Sequence, residues 1–149
     1  MAEALVIGYG NPLRSDDGLG WKVVQALSER LESERVELLT RHQLTPELVD
    51  TIRERQLVIF VDARAGDRPG ELHSQSVEPV AENLAMMHNL SPSALLTLCQ
   101  KLYETVPRAY VLSISGECFD HGEGLSRAVK KTMPRLLDRI QQLLGKYTG

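Results

Sequence analysis

The chain is short of the features that announce the commoner enzyme and binding classes. It has two cysteines, Cys99 in an apolar helical pattern and Cys118 beside Glu117. Their spacing is not of metal-ligand type, so neither a disulfide framework nor a cysteine zinc site is expected. No serine lies in a nucleophile-elbow sequence, no Cys and His pair has a supporting motif, and HExxH is absent, which removes the usual signs of covalent and zincin hydrolysis. No apolar run approaches the ~20 residues that span a bilayer, and the first residues lack a basic region followed by an apolar core and cleavage site. A cytoplasmic protein with no membrane role is expected. Excess positive charge is also missing: 17 Lys and Arg face 20 Asp and Glu, for a formal charge of −3, so there is no electrostatic footprint for nucleic acid. No repeat, low-complexity tract or linker interrupts the 149 residues, and residues 1–149 read as one domain.

What is present is concentrated in residues 5–20, LVIGYGNPLRSDDGLG. Residues 4–7 are a short apolar run ended by Gly8, as expected of a strand covered on both faces in a parallel sheet. Gly8 and Gly10 mark a turn at the strand's carboxyl end, the edge where ligands bind in open α/β sheets. Asp16 and Asp17 follow, ahead of Gly18, Gly20 and a helical pattern, so two carboxylates stand at a helix start. An aspartate there is ordinarily a cap. Both cannot be the same cap, which frees one of the pair for other work. A dinucleotide reading of Gly8-x-Gly10-x-x-Leu13 fails at the third glycine and puts carboxylates where a pyrophosphate needs donors.

Further along, residues 20–31 place Val23, Val24, Leu27 and Leu31 on one helical face, and residues 36–39 read as a second strand, giving a βαβ unit. TRHQLTP (residues 40–46) leads into a helix with Thr45 as N-cap and Pro46 at its first position. QLVIFVD (residues 56–62) is the clearest buried strand and stops on Asp62, which should lie beside the Gly8 turn and within reach of Asp17. Residues 71–77 suggest an edge strand with His73 as a surface residue. His88 precedes Ser91 and Pro92, a cap and first turn for a helix whose Leu95, Leu98, Cys99 and Leu102 share a face. Met86 and Met87 read as core or lid filler rather than sulfur ligands. Residues 108–113 are the last strand. Ser126 should cap a final helix burying Val129, Met133, Leu136, Leu137, Ile140 and Leu144, with Pro134 kinking it or compensated by neighbours. Asp120 and His121 read as part of a gate or recognition loop. The class is α/β, a three-layer α/β/α arrangement.

The motif G-x-G-N-x-L-x-x-D-D-G-x-G, supplied here by Gly8, Gly10, Asn11, Leu13, Asp16, Asp17, Gly18 and Gly20, resembles that of the hydrogenase maturation proteases, the endopeptidases that trim the C-terminal extension from nickel-iron hydrogenase large subunits. The likeness covers nearly the whole chain. It implies a mostly parallel, five-stranded mixed sheet in order 2-1-3-5-4 with strand 4 antiparallel. It also implies that Asp62 and His88, at the family's aspartate and histidine positions, join Asp17 as metal ligands, and that Glu117 is the family's glutamate after the last strand. Two carboxylates and an imidazole suit a divalent first-row ion. The expected ion is nickel carried by the precursor, with a surrogate divalent metal able to occupy the same ligands. Asp16, or an unliganded oxygen of Asp17, would orient or deprotonate water; an aspartic-type use of Asp17 with Asp62 is equally open, so Asp16, Asp17 and Asp62 are the catalytic candidates. Where many members carry Asp-Gly-Gly-Thr, this chain has Thr40, Arg41, His42 and Gln43. HQLTPEL is similar to the branch serving bidirectional, NAD-coupled hydrogenases, which implies such a large-subunit precursor as partner and Arg41, His42 and Gln43 as its recognition residues. A nickel-binding maturation chaperone without hydrolytic activity is the alternative.

Overall fold

In a computed structural model, residues 2–32, 34–80 and 90–148 are described. Five strands, β1 (Ala4–Tyr9), β2 (Val36–Arg41), β3 (Leu57–Arg64), β4 (Leu72–Val77) and β5 (Arg108–Ser115), form one sheet in the order β2-β1-β3-β5-β4. All neighbours are parallel except β4, which runs antiparallel to β5. The helices are α1 (Leu19–Arg30), α2 (Leu48–Ile52), α3 (Pro92–Tyr103) and α4 (Arg127–Thr148). This is the α/β arrangement and strand order that the family resemblance implies.

The apolar run of β3 is continuous because it is buried from both sides. Leu57, Ile59, Val61 and Ala63 join the core under α1 and α4, while Val58 and Phe60 join a second core with α2 and α3. Side chains alternate along a strand, so Asp62 and Arg64 fall on the second face, with Val58 and Phe60. Full burial of a side chain such as Phe60 or Leu95 stabilises the fold by about 1.5–3 kcal/mol. Such a core can offset the cost of gathering carboxylates at its rim.

Several elements depart from the expected bounds. β3 does not stop at Asp62; it continues to Arg64, because β5 also runs on to Ser115 and pairs Asp62 with Ser113 and Arg64 with Ser115. The short α2 has Glu47 rather than Thr45 at its N-cap. The Thr45, Pro46 and Glu47 carbonyls accept from Leu48, Val49 and Asp50 N–H, a tight i→i+3 start. On α3, Ser91 caps as expected, its side chain accepting from Ala94 N–H at 3.1 Å, with Pro92 in the first turn. The buried face of α3 is Leu95, Leu96, Thr97 and Cys99, whereas Leu102 is 60% exposed. Pro134 lies on the exposed side of an uninterrupted α4. Next to it, Thr132 donates to the Gly70 carbonyl at 2.6 Å and ties the helix to the loop before β4. His73 is half-buried rather than a plain surface residue, because its Nε2 lies 2.9 Å from the buried Ser115 hydroxyl and 3.5 Å from Glu71.

Candidate active site

The turn after β1 has little room. A Cβ on Gly8 would lie 2.1 Å from the Gly20 carbonyl oxygen, so the start of α1 crosses the end of β1 in direct backbone contact. Gly10 takes φ +136°, and a Cβ there would lie 2.2 Å from the Asp17 carbonyl oxygen. Only glycine meets both demands cheaply. The turn is then tied on three sides. Gly10 N–H donates to the Arg41 carbonyl at 3.0 Å, Trp21 Nε1–H donates to the Gly10 carbonyl at 2.9 Å, and the Asn11 side chain accepts from Leu13 N–H at 2.9 Å.

Residues 15–18 form one turn of 3-10 helix ahead of α1. With three residues per turn, consecutive side chains diverge by about 120°, and this separates the two aspartates. Asp16 is fully buried. Its Oδ2 accepts from the N–H groups of Glu117 and Cys118 at 2.8 and 3.0 Å and from the Ser126 hydroxyl at 2.8 Å, and its Oδ1 accepts from Ser126 N–H at 2.7 Å. Burial pushes this carboxyl up, but the bonds from Ser126, Glu117 and Cys118 outweigh it and hold the group below the ordinary aspartate value. Asp16, one of the water-activating candidates, is thus placed in a buried anchor rather than in open space. Both its oxygens are taken, and it fastens the loop between β5 and α4 beside Ser126. Ser126 caps α4, its hydroxyl accepting from Val129 N–H at 3.4 Å.

The same loop is laced to residues 13–16 by Ser15 N–H to the Gly122 carbonyl (2.8 Å), Gly122 N–H to the Leu13 carbonyl (2.9 Å) and Arg14 Nε to the Phe119 carbonyl (3.1 Å). Asp120 and His121, read from the sequence as part of a gate or recognition loop, are exposed on this strap.

Asp17 faces the other way. It lines a cleft of about 260 Å³ together with Tyr9, Gly10, His42, Gln43, Leu44, Asp62 and Leu90. Asp17 Oδ2 accepts from Asn11 N–H at 2.7 Å. Asp62 is half-buried, and burial pushes its carboxyl up to about 6; the Tyr9 hydroxyl bonded to it restrains the rise, the Asp17 charge adds to it and Arg64 opposes it. Tyr9 is itself pushed upward by burial, then by the charge of Asp62 and by its hydrogen bond to it. The charge of Asp17 is thus felt at Asp62.

Of the three recognition candidates, His42 and Gln43 line the cleft, and the His42 ring packs edge-on to Trp21 with centroids 5.4 Å apart. Arg41 does not line it. This exposed guanidinium donates to the Thr40 carbonyl at 2.7 Å. His88, together with Met86 and Met87, lies outside the described residues. Among the described residues no three His, Cys, Asp or Glu side chains are grouped to hold a metal ion, and no helix is long and apolar enough to cross a membrane. Two residues escaped the reading of the sequence, Tyr9 in the cleft and Trp21 against His42. Tyr9 shares the strand parity of Leu5 and Ile7, and its position between two glycines at a sheet edge was the available signal. Trp21 is the one tryptophan, whose indole N–H seeks a partner when partly buried.

Comparison with known proteins agrees with this architecture. A family model described as hydrogenase maturation protease matches residues 21–143. The hydrogenase 2 maturation protease of Escherichia coli (strain K12) is 25% identical over 142 residues, covering 91% of this chain and 87% of that protein. Among solved structures, the hydrogenase maturating endopeptidase HybD from E. coli superposes with a TM-score of 0.80 at 24% identity, over 98% of this chain and 93% of that one. A [NiFe] hydrogenase maturation protease, HycI, from Thermococcus kodakarensis KOD1 gives 0.74 at 21% identity, over 97% and 93%.

Proposed function

The chain belongs to the hydrogenase maturation protease family, endopeptidases that process the [NiFe] hydrogenase large subunit, and from that premise we propose that Asp17 and Asp62 recognise nickel already inserted in the precursor. The observation that carries this reading is that these two carboxylates, and not Asp16, line one cleft at the carboxyl edge of the sheet. Carboxylate oxygens suit a divalent first-row ion, and His88 is the third ligand. Leu90, two residues after it in the chain, lines the same cleft. The nickel is the substrate's own, so an empty precursor offers these ligands nothing to engage, and the enzyme cuts only after insertion.

An ion held there supplies Lewis-acid chemistry, polarising a carbonyl and acidifying water. The chain's part is to position the peptide and to manage protons. Asp62 is lifted to about 6 before the precursor binds, and the precursor's cation draws it into the charged form that a ligand needs. Asp16 takes no part, since neither oxygen is free. His42 and Gln43 meet the precursor beside the scissile bond, and the HQLTPEL sequence favours a bidirectional, NAD-coupled hydrogenase large subunit as the partner. Membership in a family of endopeptidases sets the non-hydrolytic chaperone aside.

The test offers purified precursor, nickel-loaded or rigorously nickel-free, to the wild type and to Asp17→Asn, Asp62→Asn and His88→Gln, with release of the C-terminal peptide followed by mass spectrometry. Only wild type with nickel-loaded precursor should release it. Efficient cutting of nickel-free precursor would show that recognition rests on peptide sequence alone.

A further inference from the structure

Trp21 closes a ring of contacts behind the cleft. It stands in the first turn of α1, and helix side chains lean toward the helix N-terminus, so the indole reaches back over the turn that follows β1. Its Nε1–H donates to the Gly10 carbonyl at 2.9 Å. Gly10 N–H donates in turn to the Arg41 carbonyl at 3.0 Å. The next residue, His42, meets the indole edge-on, with ring centroids 5.4 Å apart and planes at 69°. The indole is thus tethered at its nitrogen, and the main chain sets its distance from the imidazole. Among the described residues no hydrogen bond or ion pair holds the His42 side chain. Neither ring nitrogen is spent within the protein, so both remain able to donate to or accept from a ligand, and His42 lines the cleft beside Gln43.

We propose that Trp21 is a positioning residue for substrate recognition: its indole, tethered to Gly10, seats the His42 imidazole at the cleft and leaves both ring nitrogens to peptide groups of the precursor. The inference rests on the reading of His42 as a recognition residue and extends it to a side chain that does not itself line the cleft. Trp21 acts through His42. Without the indole the imidazole keeps its chemistry but loses its fixed place, and binding must then remove the rotamer freedom that the ring pair had already removed.

The experiment is a double-mutant cycle on the full-length enzyme, with Trp21→Leu, His42→Ala and both together. Peptide release from nickel-loaded precursor is followed at varied precursor concentration, with unfolding midpoints alongside. An edge-on ring pair is worth about two- to tenfold in an equilibrium constant. Trp21→Leu should therefore raise KM by about that factor with little change in kcat, the mark of binding lost equally from ground and transition state. It should add nothing in the His42→Ala background, because the two side chains act as one unit. Trp21→Phe keeps a ring and loses the tether, so its rise in KM should be smaller and should likewise vanish in His42→Ala; this cycle decides the matter if Trp21→Leu fails to fold. Trp21 is the one tryptophan, so the emission of the free enzyme should shift to the red in His42→Ala as the indole gains water, and an unchanged spectrum would show that the rings do not meet. Trp21 also lines a second groove, of about 430 Å³, with Leu13, Val24 and Thr40. Precursor bound directly in that groove would make Trp21→Leu raise KM equally with and without His42; the inference would then be wrong and the recognition reading would stand. An unaltered KM in Trp21→Leu, where His42→Ala raises it, has the same meaning. If His42→Ala leaves KM at the wild-type value, the recognition reading fails and this inference falls with it.

Discussion

Neutralising Asp62 should make the protein more stable while removing its activity. The folded carboxyl titrates at about 6 against an ordinary value of 3.8, chiefly because burial disfavours its charged form. A displacement of that size corresponds to about 3 kcal/mol at pH values where the group is ionised in both states. The sign follows from proton counts. Between 3.8 and about 6 the folded protein keeps the proton that the unfolded chain has lost, so stability falls as pH rises through that window. Above it the whole penalty is present, and below 3.8 it is absent. Asp62→Asn carries no charge at any of these pH values and can still accept from Tyr9. Partial solvent contact and a weaker bond to the tyrosine reduce the net gain to about 1–2 kcal/mol near pH 8, or roughly 2–8 °C in melting temperature for a chain of this length. The assay is thermal unfolding of wild type and Asp62→Asn from pH 4 to 8 in the presence of chelator. The gap should open between pH 4 and 6 and then stay constant. A variant less stable than wild type at pH 8, or a gap that ignores pH, would refute the claim that the cleft holds Asp62 against its preferred charge state.

Asp16 should behave oppositely. Asp16→Ala leaves the Glu117, Cys118 and Ser126 donors unmatched and should cost about 3 kcal/mol or more in urea unfolding at pH 7. Because its folded value is depressed, that stabilisation is present above the ordinary aspartate range and disappears as pH falls through the lowered folded value, so the difference from wild type should shrink in acid; an equal difference at pH 7 and in strong acid would count against the anchor role. For the recognition loop, His42→Ala with Gln43→Ala should narrow the discrimination between bidirectional and uptake-type precursors in competitive cleavage, and Arg41→Ala should leave it unchanged. Loss of discrimination in Arg41→Ala alone would move recognition to the exposed rim of β2.

The elements that could be read from the sequence are those whose cause is local. LVIF in β3 is apolar at every position because both faces are buried, and that pattern marks a central parallel strand wherever it occurs. Ser91-Pro92 announces the start of α3 by cap chemistry and a fixed φ. The glycine turn and its two aspartates announced a site at a sheet edge. The family model matches residues 21–143, beyond this motif, so motif and match reach the same family from different parts of the chain.

What the sequence left open turns on groups distant in the chain. Nothing local distinguishes Asp16 from Asp17, because each is an aspartate at a helix start. They are separated by donors more than a hundred positions away, at Glu117, Cys118 and Ser126. The extra length of β3 and the half-burial of His73 both follow from pairing around β5, and strand register is invisible in either strand alone. Arg41 and His42 are neighbours in sequence, yet one bonds back to its own strand and the other lines the cleft with its ring edge-on to Trp21. Sequence alone determined which side chains are apolar, which can ionise and where the chain must turn, since these are properties of single residues and short spacings. Only the tertiary structure decided which carboxylate is saturated with donors and which keeps an oxygen for a ligand, because the energy of a buried charge is set by whatever the rest of the chain brings within hydrogen-bonding distance.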